Sequence, residues 1–112
     1  MKVNDYVRTE WGDIEKIIKI DNENIIVNIE EDEEGITYCK MCYKNEIKKS
    51  SPNIIDLIEV GDYVNGGQVR ETEKDYIRIS GGGYIWQFLK KEDIKSIVTK
   101  EMFSSIEYEV KQ

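Results

Sequence analysis

The sequence predicts a mostly β chain made of two related halves. Alanine, the strongest helix former, is absent from the 112 residues, whereas isoleucine, valine, tyrosine and threonine, which suit pleated strands, are plentiful. A short segment also recurs, as VNDYV at residues 3–7 and as VGDYV at residues 60–64. Internal repetition of this kind indicates a duplicated supersecondary unit.

A second similarity indicates where the two units meet. Residues 51–59 and residues 99–107 each place a helical-turn signal ahead of an Ile-Glu pair. Their offset is 48 residues, against 57 for the first repeat, so the second half is shorter in the region where the first half carries an acidic run. Because both similarities occur in the same order, we predict an internal duplication, with a first unit over residues 1–58 and a second over residues 59–112.

In the first half, short apolar runs separated by turn residues predict five strands. They are residues 6–8, 14–20, 25–29, 36–43 and 57–63. Ile25, Val27 and Ile29 are expected to share one face of their strand, because side chains alternate along a strand. Ser51 is expected to cap a single helical turn, with Pro52 at the first helical position, where its missing N–H is harmless.

The second half repeats this plan with fewer residues. Strands are predicted at residues 68–71, 76–79, 84–89 and 106–110, with turns at residues 65–67 and 81–83 and a helical turn after Thr99. The Gly81-Gly82-Gly83 run precedes a strand, so it predicts a hairpin turn, because phosphate-binding loops lead into a helix. About five strands with one short helical turn per unit describe two tandem SH3-like small barrels.

The beginning of the chain resembles the KOW motif, a short strand–turn–strand found in ribosome- and transcription-associated barrels. Residues 3–7, Gly12 and the strand at residues 14–20 carry the resemblance. The resemblance implies a small-barrel fold. This segment lacks the basic residues and the glycine richness of the RNA-binding members.

The charge distribution limits the possible partners. The net charge is −7; residues 1–59 carry eight basic and 14 acidic side chains, and residues 60–112 carry eight and nine. Because an acidic surface repels phosphate backbones, direct binding of DNA or RNA is disfavoured. No apolar run approaches the roughly 20 residues that cross a bilayer, and residues 1–5 lack the apolar region of an export signal. We therefore expect a cytoplasmic protein without membrane contact.

Catalysis has little support in the residue types present. The chain has no histidine, which removes the commonest general base and a leading zinc ligand. A nucleophile would have to be activated by lysine or a carboxylate, and no pair is singled out by its spacing. We expect no enzyme, no catalytic residue and no cofactor.

Cys39 and Cys42 form a C-x-x-C motif, which occurs in zinc sites and in redox pairs. No other cysteine and no histidine completes a zinc site within the chain. In a predicted strand, positions three apart point to opposite faces. We interpret the two residues as reduced cysteines in or near the core; a metal site shared across a homodimer is the open alternative.

The densest run of charge consists of Glu30, Glu31, Asp32, Glu33 and Glu34. Its contiguous spacing does not fit a calcium loop, whose ligands alternate over about twelve residues. Two interpretations stay open: a solvated hairpin loop, or an acidic patch that imitates a phosphate backbone or docks on a basic protein surface.

Aromatic residues are the remaining candidates for binding. Tyr84, Trp86 and Phe88 alternate on one face of a predicted strand, opposite Leu89. If this row faced solvent it would favour binding, but we favour the interpretation that it belongs to the core. Trp11, beside a turn, is a second candidate anchor. It would favour binding if it faced solvent, but here too we favour the interpretation that it belongs to the core.

Two segments resemble a family of small phage and prophage proteins from low-GC Gram-positive bacteria, clostridia especially. They are SSPNIIDLIEVGDYVNG at residues 50–66 and IKSIVTKE at residues 94–101. The resemblance implies a phage origin and carries over no functional residue.

These observations favour a non-enzymatic phage-encoded binding protein that inhibits a host protein. In the leading hypothesis, the acidic N-terminal surface enters the basic channel of a nucleic-acid-handling or defence complex such as CRISPR–Cas. Glu30 to Glu34 supply the charge, and Trp11 or the row of Tyr84, Trp86 and Phe88 supplies an apolar anchor. A structural or regulatory phage adaptor, a self-assembling module and a KOW-like RNA-binding barrel are the alternatives.

Overall fold

The computed structural model describes residues 1–80 and 86–106, with side chains as far as Phe103. Within these residues the chain forms eleven short strands in antiparallel sheets, together with short 3₁₀ turns and one α-helix. The prediction of a mostly β chain is confirmed. The chain divides into two compact units, Met1–Leu57 (unit 1) and Ile58–Gln112 (unit 2).

Unit 1 contains six strands in two three-stranded sheets. The strands are β1 (Tyr6–Thr9), β2 (Ile14–Lys16), β3 (Lys19–Asp21), β4 (Asn24–Glu31), β5 (Thr37–Tyr43) and β6 (Ile47–Ser51). The strand orders are β2-β1-β6 and β3-β4-β5. A 3₁₀ turn at Lys44–Glu46 separates β5 from β6, and a second at Ile54–Leu57 follows β6.

The core of unit 1 lies where the two sheets meet. Its buried residues are Val7, Ile17, Ile25, Val27 and Cys42. The single strand predicted over residues 14–20 is divided at Ile17 into β2 and β3. The Ile17 N–H donates to the Asp5 carbonyl at 2.8 Å, and the side chain is 1% exposed. The division lets β2 pair with β1 and β3 pair with β4, so one segment serves both sheets.

A β-bulge changes which residues of β4 face the core. The register of the β4–β5 pair shifts between Ile26 and Asn28, which leaves Val27 as an extra residue. A one-residue insertion moves every later side chain to the other face of the strand. Ile25 and Val27 are buried, whereas Ile29 is 50% exposed. The prediction that Ile29 shares a face with Ile25 and Val27 is therefore wrong.

The helical turn at the end of unit 1 begins later than predicted. Ser51 is the last residue of β6, and the 3₁₀ turn begins at Ile54. The Asn53 Oδ1 accepts the Ile55 N–H at 3.3 Å, whereas the Ser51 hydroxyl accepts the Asn53 N–H at 3.1 Å. Asn53 is therefore the capping residue, and the prediction of a Ser51 cap with Pro52 in the first helical position is wrong.

Unit 2 contains five strands in one sheet. The strands are β7 (Tyr63–Val64), β8 (Gly67–Thr72), β9 (Tyr76–Ser80), β10 (Trp86–Lys90) and β11 (Ile97–Val98). The order is β10-β9-β8-β7-β11. A 3₁₀ turn at Lys91–Asp93 follows β10, and helix α1 (Lys100–Ile106) follows β11.

The predicted strands of unit 2 are found in part. Those at residues 68–71 and 76–79 correspond to β8 and β9, whereas the strand predicted at residues 57–63 does not form, because β7 begins only at Tyr63. Ile106 ends helix α1 instead of beginning a strand. The predicted Gly81-Gly82-Gly83 turn, Tyr84 and residues 107–110 lie outside the described residues.

Unit 2 has its own core, and the start of helix α1 is bonded to the loop before β7. The buried residues of this core are Ile58, Val64, Val69, Ile77 and Ile79. Asp62 is fully buried, and its carboxylate accepts the N–H groups of Glu59 at 2.7 Å and Lys100 at 2.9 Å. Thr99 is also fully buried, and its hydroxyl accepts the Met102 N–H at 3.4 Å. These bonds fix the first turn of α1 against the loop before β7.

The repeated segments make the same backbone hydrogen bonds in both units. In unit 1, the Asn4 N–H donates to the Ile17 carbonyl (2.9 Å), and the Ile17 N–H donates to the Asp5 carbonyl (2.8 Å). The Asp5 N–H donates in turn to the Lys2 carbonyl (3.1 Å). In unit 2, the Gly61 N–H donates to the Val69 carbonyl (2.9 Å), and the Val69 N–H donates to the Asp62 carbonyl (2.7 Å). The Asp62 N–H donates in turn to the Glu59 carbonyl (3.1 Å). Asn4 and Gly61, at matching positions, both have positive φ, of 77° and 99°.

The sheets differ from the predicted small barrels. Among the strands described, none of the three sheets closes on itself. The predicted barrels are therefore open sheets in this structure. No helix in residues 1–80 and 86–106 has the length and apolar character needed to span a membrane.

Candidate partner-binding surfaces

The β4–β5 hairpin of unit 1 continues beyond the core as an exposed arm. We define the hairpin arm as residues 28–41, which comprise the ends of β4 and β5 and the loop between them. Residues 37–41 are all exposed. The last buried pair of this hairpin, Ile25 and Cys42, lies at its base, so the arm extends beyond the core of unit 1.

Asp32 organises the tip of the hairpin arm. Its Oδ1 accepts the N–H groups of Glu34 at 2.9 Å and Ile36 at 2.8 Å, and its Oδ2 accepts the Tyr38 hydroxyl at 3.2 Å. A carboxylate that bonds the backbone two residues later is a local turn device. Gly35, with a φ of 83°, completes the turn. Asp32 therefore stabilises the conformation of the loop and also contributes to its negative charge.

The other four carboxylates of the acidic run are exposed. Glu30 and Glu31 lie in β4, so the acidic run is only partly a loop; Glu33 and Glu34 lie at the tip. Glu30 accepts the Asn28 amide at 3.0 Å. Since four acids crowd one exposed end of the hairpin, the arm presents a strong negative potential, and a basic surface is its complement.

One face of the hairpin arm is apolar, which the sequence did not indicate. Ile29 lies opposite Cys39, and Met41 shares their face, which points away from the core. Ile26, next to the arm, lies opposite Met41 and continues this face. Ile29 is 50% and Met41 49% exposed. The bulge at Val27 places Ile29 there, and no residue pattern marks that bulge.

The opposite face of the hairpin arm is polar and attached to β2. The Lys40 ammonium group lies 2.6 Å from the Glu15 carboxylate. This hydrogen bond raises the pKa of Lys40, against the opposing effect of partial burial. Since exposed ion pairs contribute little to stability, we assign this one a positioning role: it orients the arm relative to the core.

The cysteines lie on opposite faces of β5, as predicted. Cys42 is buried in the core of unit 1, and burial raises the pKa of its thiol. Cys39 is exposed on the apolar face of the hairpin arm. Within residues 1–80 and 86–106, no group of three or more Cys, Asp or Glu side chains is arranged to hold a metal ion.

We predict that the two thiols differ strongly in reactivity. Burial and a raised pKa both lower the availability of the Cys42 thiolate, which is the reactive form. A thiol reagent should modify Cys39 in the native protein at least about 100-fold faster than Cys42, because reaching Cys42 requires opening of the core. Reagent kinetics on the Cys39→Ser and Cys42→Ser variants would measure each rate, and equal rates would place Cys42 at the surface.

The row predicted on β10 faces solvent. Trp86 is 52% and Phe88 63% exposed, whereas Leu89 is half-buried and packs on the core of unit 2. The favoured interpretation of these aromatics as core is therefore wrong for Trp86 and Phe88. Tyr84 lies outside the described residues. Within Trp86–Lys90, Leu89 supplies the contact with the core, and the aromatic rings lie on the opposite face of the strand.

Cations share this surface with the rings. The cross-strand pairs Trp86–Ser80, Phe88–Arg78 and Lys90–Tyr76 put all six side chains on one face of the sheet. The Arg78 guanidinium lies 4.4 Å from the Trp86 ring centroid, and Tyr76 meets Phe88 edge-on at 5.6 Å. Tyr76, Phe88, Lys90 and Asp93 also line a small cavity of about 270 Å³.

Arg70 adds a third cation to the same surface. Its Nε donates to the Ser80 hydroxyl at 3.3 Å, which places its side chain on the outer face. Glu71 is the nearest counter-charge, with its carboxylate 3.2 Å from Arg78. We define the aromatic face as Tyr76, Trp86 and Phe88 together with Arg70, Arg78 and Lys90.

Trp11 is exposed at the turn between β1 and β2, so the favoured interpretation of it as core is wrong. It is 59% exposed, and the next residue, Gly12, donates its N–H to the Thr9 carbonyl at 3.0 Å with a φ of 90°. Trp11 belongs to unit 1, and Trp86 and Phe88 belong to unit 2. The structure therefore places the predicted anchors in different units.

A further concavity of unit 1 was not predicted. It encloses about 480 Å³ and is lined by Glu10, Glu23, Tyr43, Lys44, Asn45 and Glu46. Three of its six lining side chains are carboxylates, so it extends the acidic character of unit 1 beyond the hairpin arm. Sequence spacing could not reveal it, because residues from three separate segments line it.

Comparisons with protein-family models, with curated proteins and with solved structures found no match to this chain.

Proposed function

We propose that this chain is a non-enzymatic binding protein that docks on a basic protein surface through the hairpin arm of unit 1. The single observation that carries the proposal is the composition of the arm. Four exposed carboxylates at the tip of the arm adjoin an exposed apolar strip that contains Ile29 and Met41. An apolar centre with a charged rim is the usual make-up of a protein interface.

The charge of the arm selects the kind of partner. Acidic side chains spaced along a strand can occupy positions that phosphates of a nucleic acid would occupy on a basic protein. The proposed partner is therefore a nucleic-acid-handling or defence complex of a bacterial host, which the chain inhibits by entering its basic channel. The resemblance of residues 50–66 to phage proteins supports a phage origin, and hence a host target.

We also propose that the two units are tandem SH3-like folds that arose by internal duplication. In each unit the strand that ends the fold pairs with the strand that begins it, β6 with β1 and β11 with β7. A 3₁₀ turn precedes the last strand in both. The matching hydrogen bonds of Asn4 and Gly61 support a common origin for the two units.

The proposal predicts that charge reversal on the arm abolishes binding. Glu31→Lys, Glu33→Lys and Glu34→Lys together should weaken partner binding by at least about 100-fold, because like charges placed opposite one another cost several kcal/mol. Asp32 is left unchanged, since its carboxylate holds the loop. The measurement is recovery of partners by the tagged chain from lysate of a low-GC Gram-positive bacterium, eluted with a salt gradient.

The matched control reverses three exposed acids of unit 2. Glu73→Lys, Asp75→Lys and Glu92→Lys change the net charge by the same amount away from the arm. A partner that the control retains, that the arm variant loses, and that moderate salt releases would support the proposal. If both variants lost the partner equally, net charge alone would explain the binding, and the proposed role of the arm would be contradicted. Recovery only of the chain itself, persisting through high salt, would favour a self-assembling module instead.

A further inference from the structure

We infer that the aromatic face of unit 2 binds single-stranded nucleic acid, a ligand beyond the protein partner proposed for unit 1. Flat surfaces that bind single strands combine exposed rings, on which bases stack, with cations that contact the backbone. The aromatic face has both: Trp86 and Phe88 are more than half exposed, and Arg78 lies opposite Phe88 on the neighbouring strand with its guanidinium against Trp86.

The spacing of the rings suits an extended strand of nucleotides. Trp86 and Phe88 are two residues apart on β10, so their Cα atoms are separated by roughly 7 Å. That is about twice the 3.4 Å rise of stacked nucleotides. Each ring can therefore stack on a separate base of an extended single strand. The bases of a duplex are stacked on one another and are not available to the rings.

The cations are placed beside the rings. Lys90 continues the row on β10, and Arg70 reaches the same surface from β8. Arg78 covers part of Trp86 and is bridged to Glu71. Among the contacts of the face, Glu71 lies against Arg78 and Asp93 lies in the cavity with Lys90, so its three cations are opposed by two acids. The hairpin arm, by contrast, is acidic, and residues 1–59 carry most of the negative charge of the chain.

The small cavity beside Phe88 favours a base over a peptide side chain. It is lined by two aromatic residues, Tyr76 and Phe88, and by two charged residues, Lys90 and Asp93. An aromatic side chain in the lining can stack on a planar base. Lys90 offers a hydrogen-bond donor, and Asp93 an acceptor, to the polar edge of that base. An acidic peptide would use the cations but would gain little from the ring spacing.

The test is binding of a fluorescently labelled oligothymidylate of roughly 12 nucleotides, within the range of single-strand sites, followed by anisotropy at low salt. Saturable binding is expected, and Phe88→Ala and Trp86→Ala should each weaken it by about 5- to 150-fold, the contribution of one stacked base. Phe88→Tyr should retain binding, because it keeps the ring. The affinity should fall with salt with a log–log slope of roughly −2, as expected for three phosphate contacts.

Controls separate stacking from charge. An abasic strand of the same length should bind at least about fivefold more weakly, because it lacks the bases that stack. Tyr43→Ala, which removes a similarly exposed ring from unit 1, should change nothing. Equal binding of the abasic strand, equal competition by oligoglutamate, no effect of Phe88→Ala, or no saturable binding would each overturn the inference. The hairpin-arm variants leave this face intact, so the two proposals fail independently.

Discussion

Asp62→Ala is expected to lower the free energy of unfolding by about 3 kcal/mol, the largest effect we predict for a single substitution. The Asp62 carboxylate is fully buried and accepts two backbone N–H groups, those of Glu59 and Lys100. Alanine would leave both donors without this acceptor and would leave a space in the core. Urea denaturation followed by circular dichroism measures the change.

Asp5 is the matched control for Asp62, because it lies at the equivalent position of unit 1. Its Oδ2 accepts the Lys2 N–H at 2.9 Å in an exposed bond. Asp5→Ala should therefore cost no more than about 1 kcal/mol, the usual net value of one hydrogen bond. Equal losses for the two variants would contradict the structural role assigned to burial at Asp62.

Gly67→Ala is expected to destabilise the protein by about 1–3 kcal/mol, because it overfills a packed site. A Cβ at Gly67 would lie 2.7 Å from the Ile79 Cδ1 and 2.9 Å from the Ser80 carbonyl oxygen. The Ile79 side chain is 1% exposed and the carbonyl belongs to the sheet, so neither can move away without cost. Denaturation of the variant in urea measures the loss.

The adjacent glycine provides the control for this prediction. Gly66 has a φ of 85°, and no atom lies within 4 Å of a Cβ placed there. Asparagine tolerates this left-handed conformation, so Gly66→Asn should change stability by less than about 0.5 kcal/mol. A Gly67→Ala protein as stable as Gly66→Asn would show that β8 and β9 are less closely packed than described.

Residue preference and alternation were sufficient to predict most strands. The runs at residues 25–29, 68–71 and 76–79 have the composition and period of strands and each lies within one, and the run at residues 36–43 differs from β5 by one residue. The placement of Cys39 and Cys42 on opposite faces followed from the same alternation. These features are local, so a single sequence contains them.

The remaining features depend on contacts distant in sequence. The bulge at Val27 arises from pairing with β5, and it alone brings Ile29 to the apolar face of the hairpin arm. Ser51 and Asn53 are both good caps, and the extension of β6 to Ser51 decides between them. The exposure of Trp86 and Phe88 depends on which face of β10 meets Ile77 and Ile79, a choice that alternation alone leaves open.

We propose that the hairpin arm occupies the nucleic-acid site of its partner. The most direct test is displacement of labelled nucleic acid from the partner recovered by the tagged chain. We expect a chain with the wild-type arm to displace the nucleic acid, with an effect that weakens as salt rises, and we expect no displacement by the Glu31, Glu33 and Glu34 charge-reversal variant. The displacement is measured on the Trp86→Ala, Phe88→Ala background, so that the aromatic face of unit 2 does not itself hold the nucleic acid. A complex that contains the partner, this chain and the nucleic acid together would contradict the proposal.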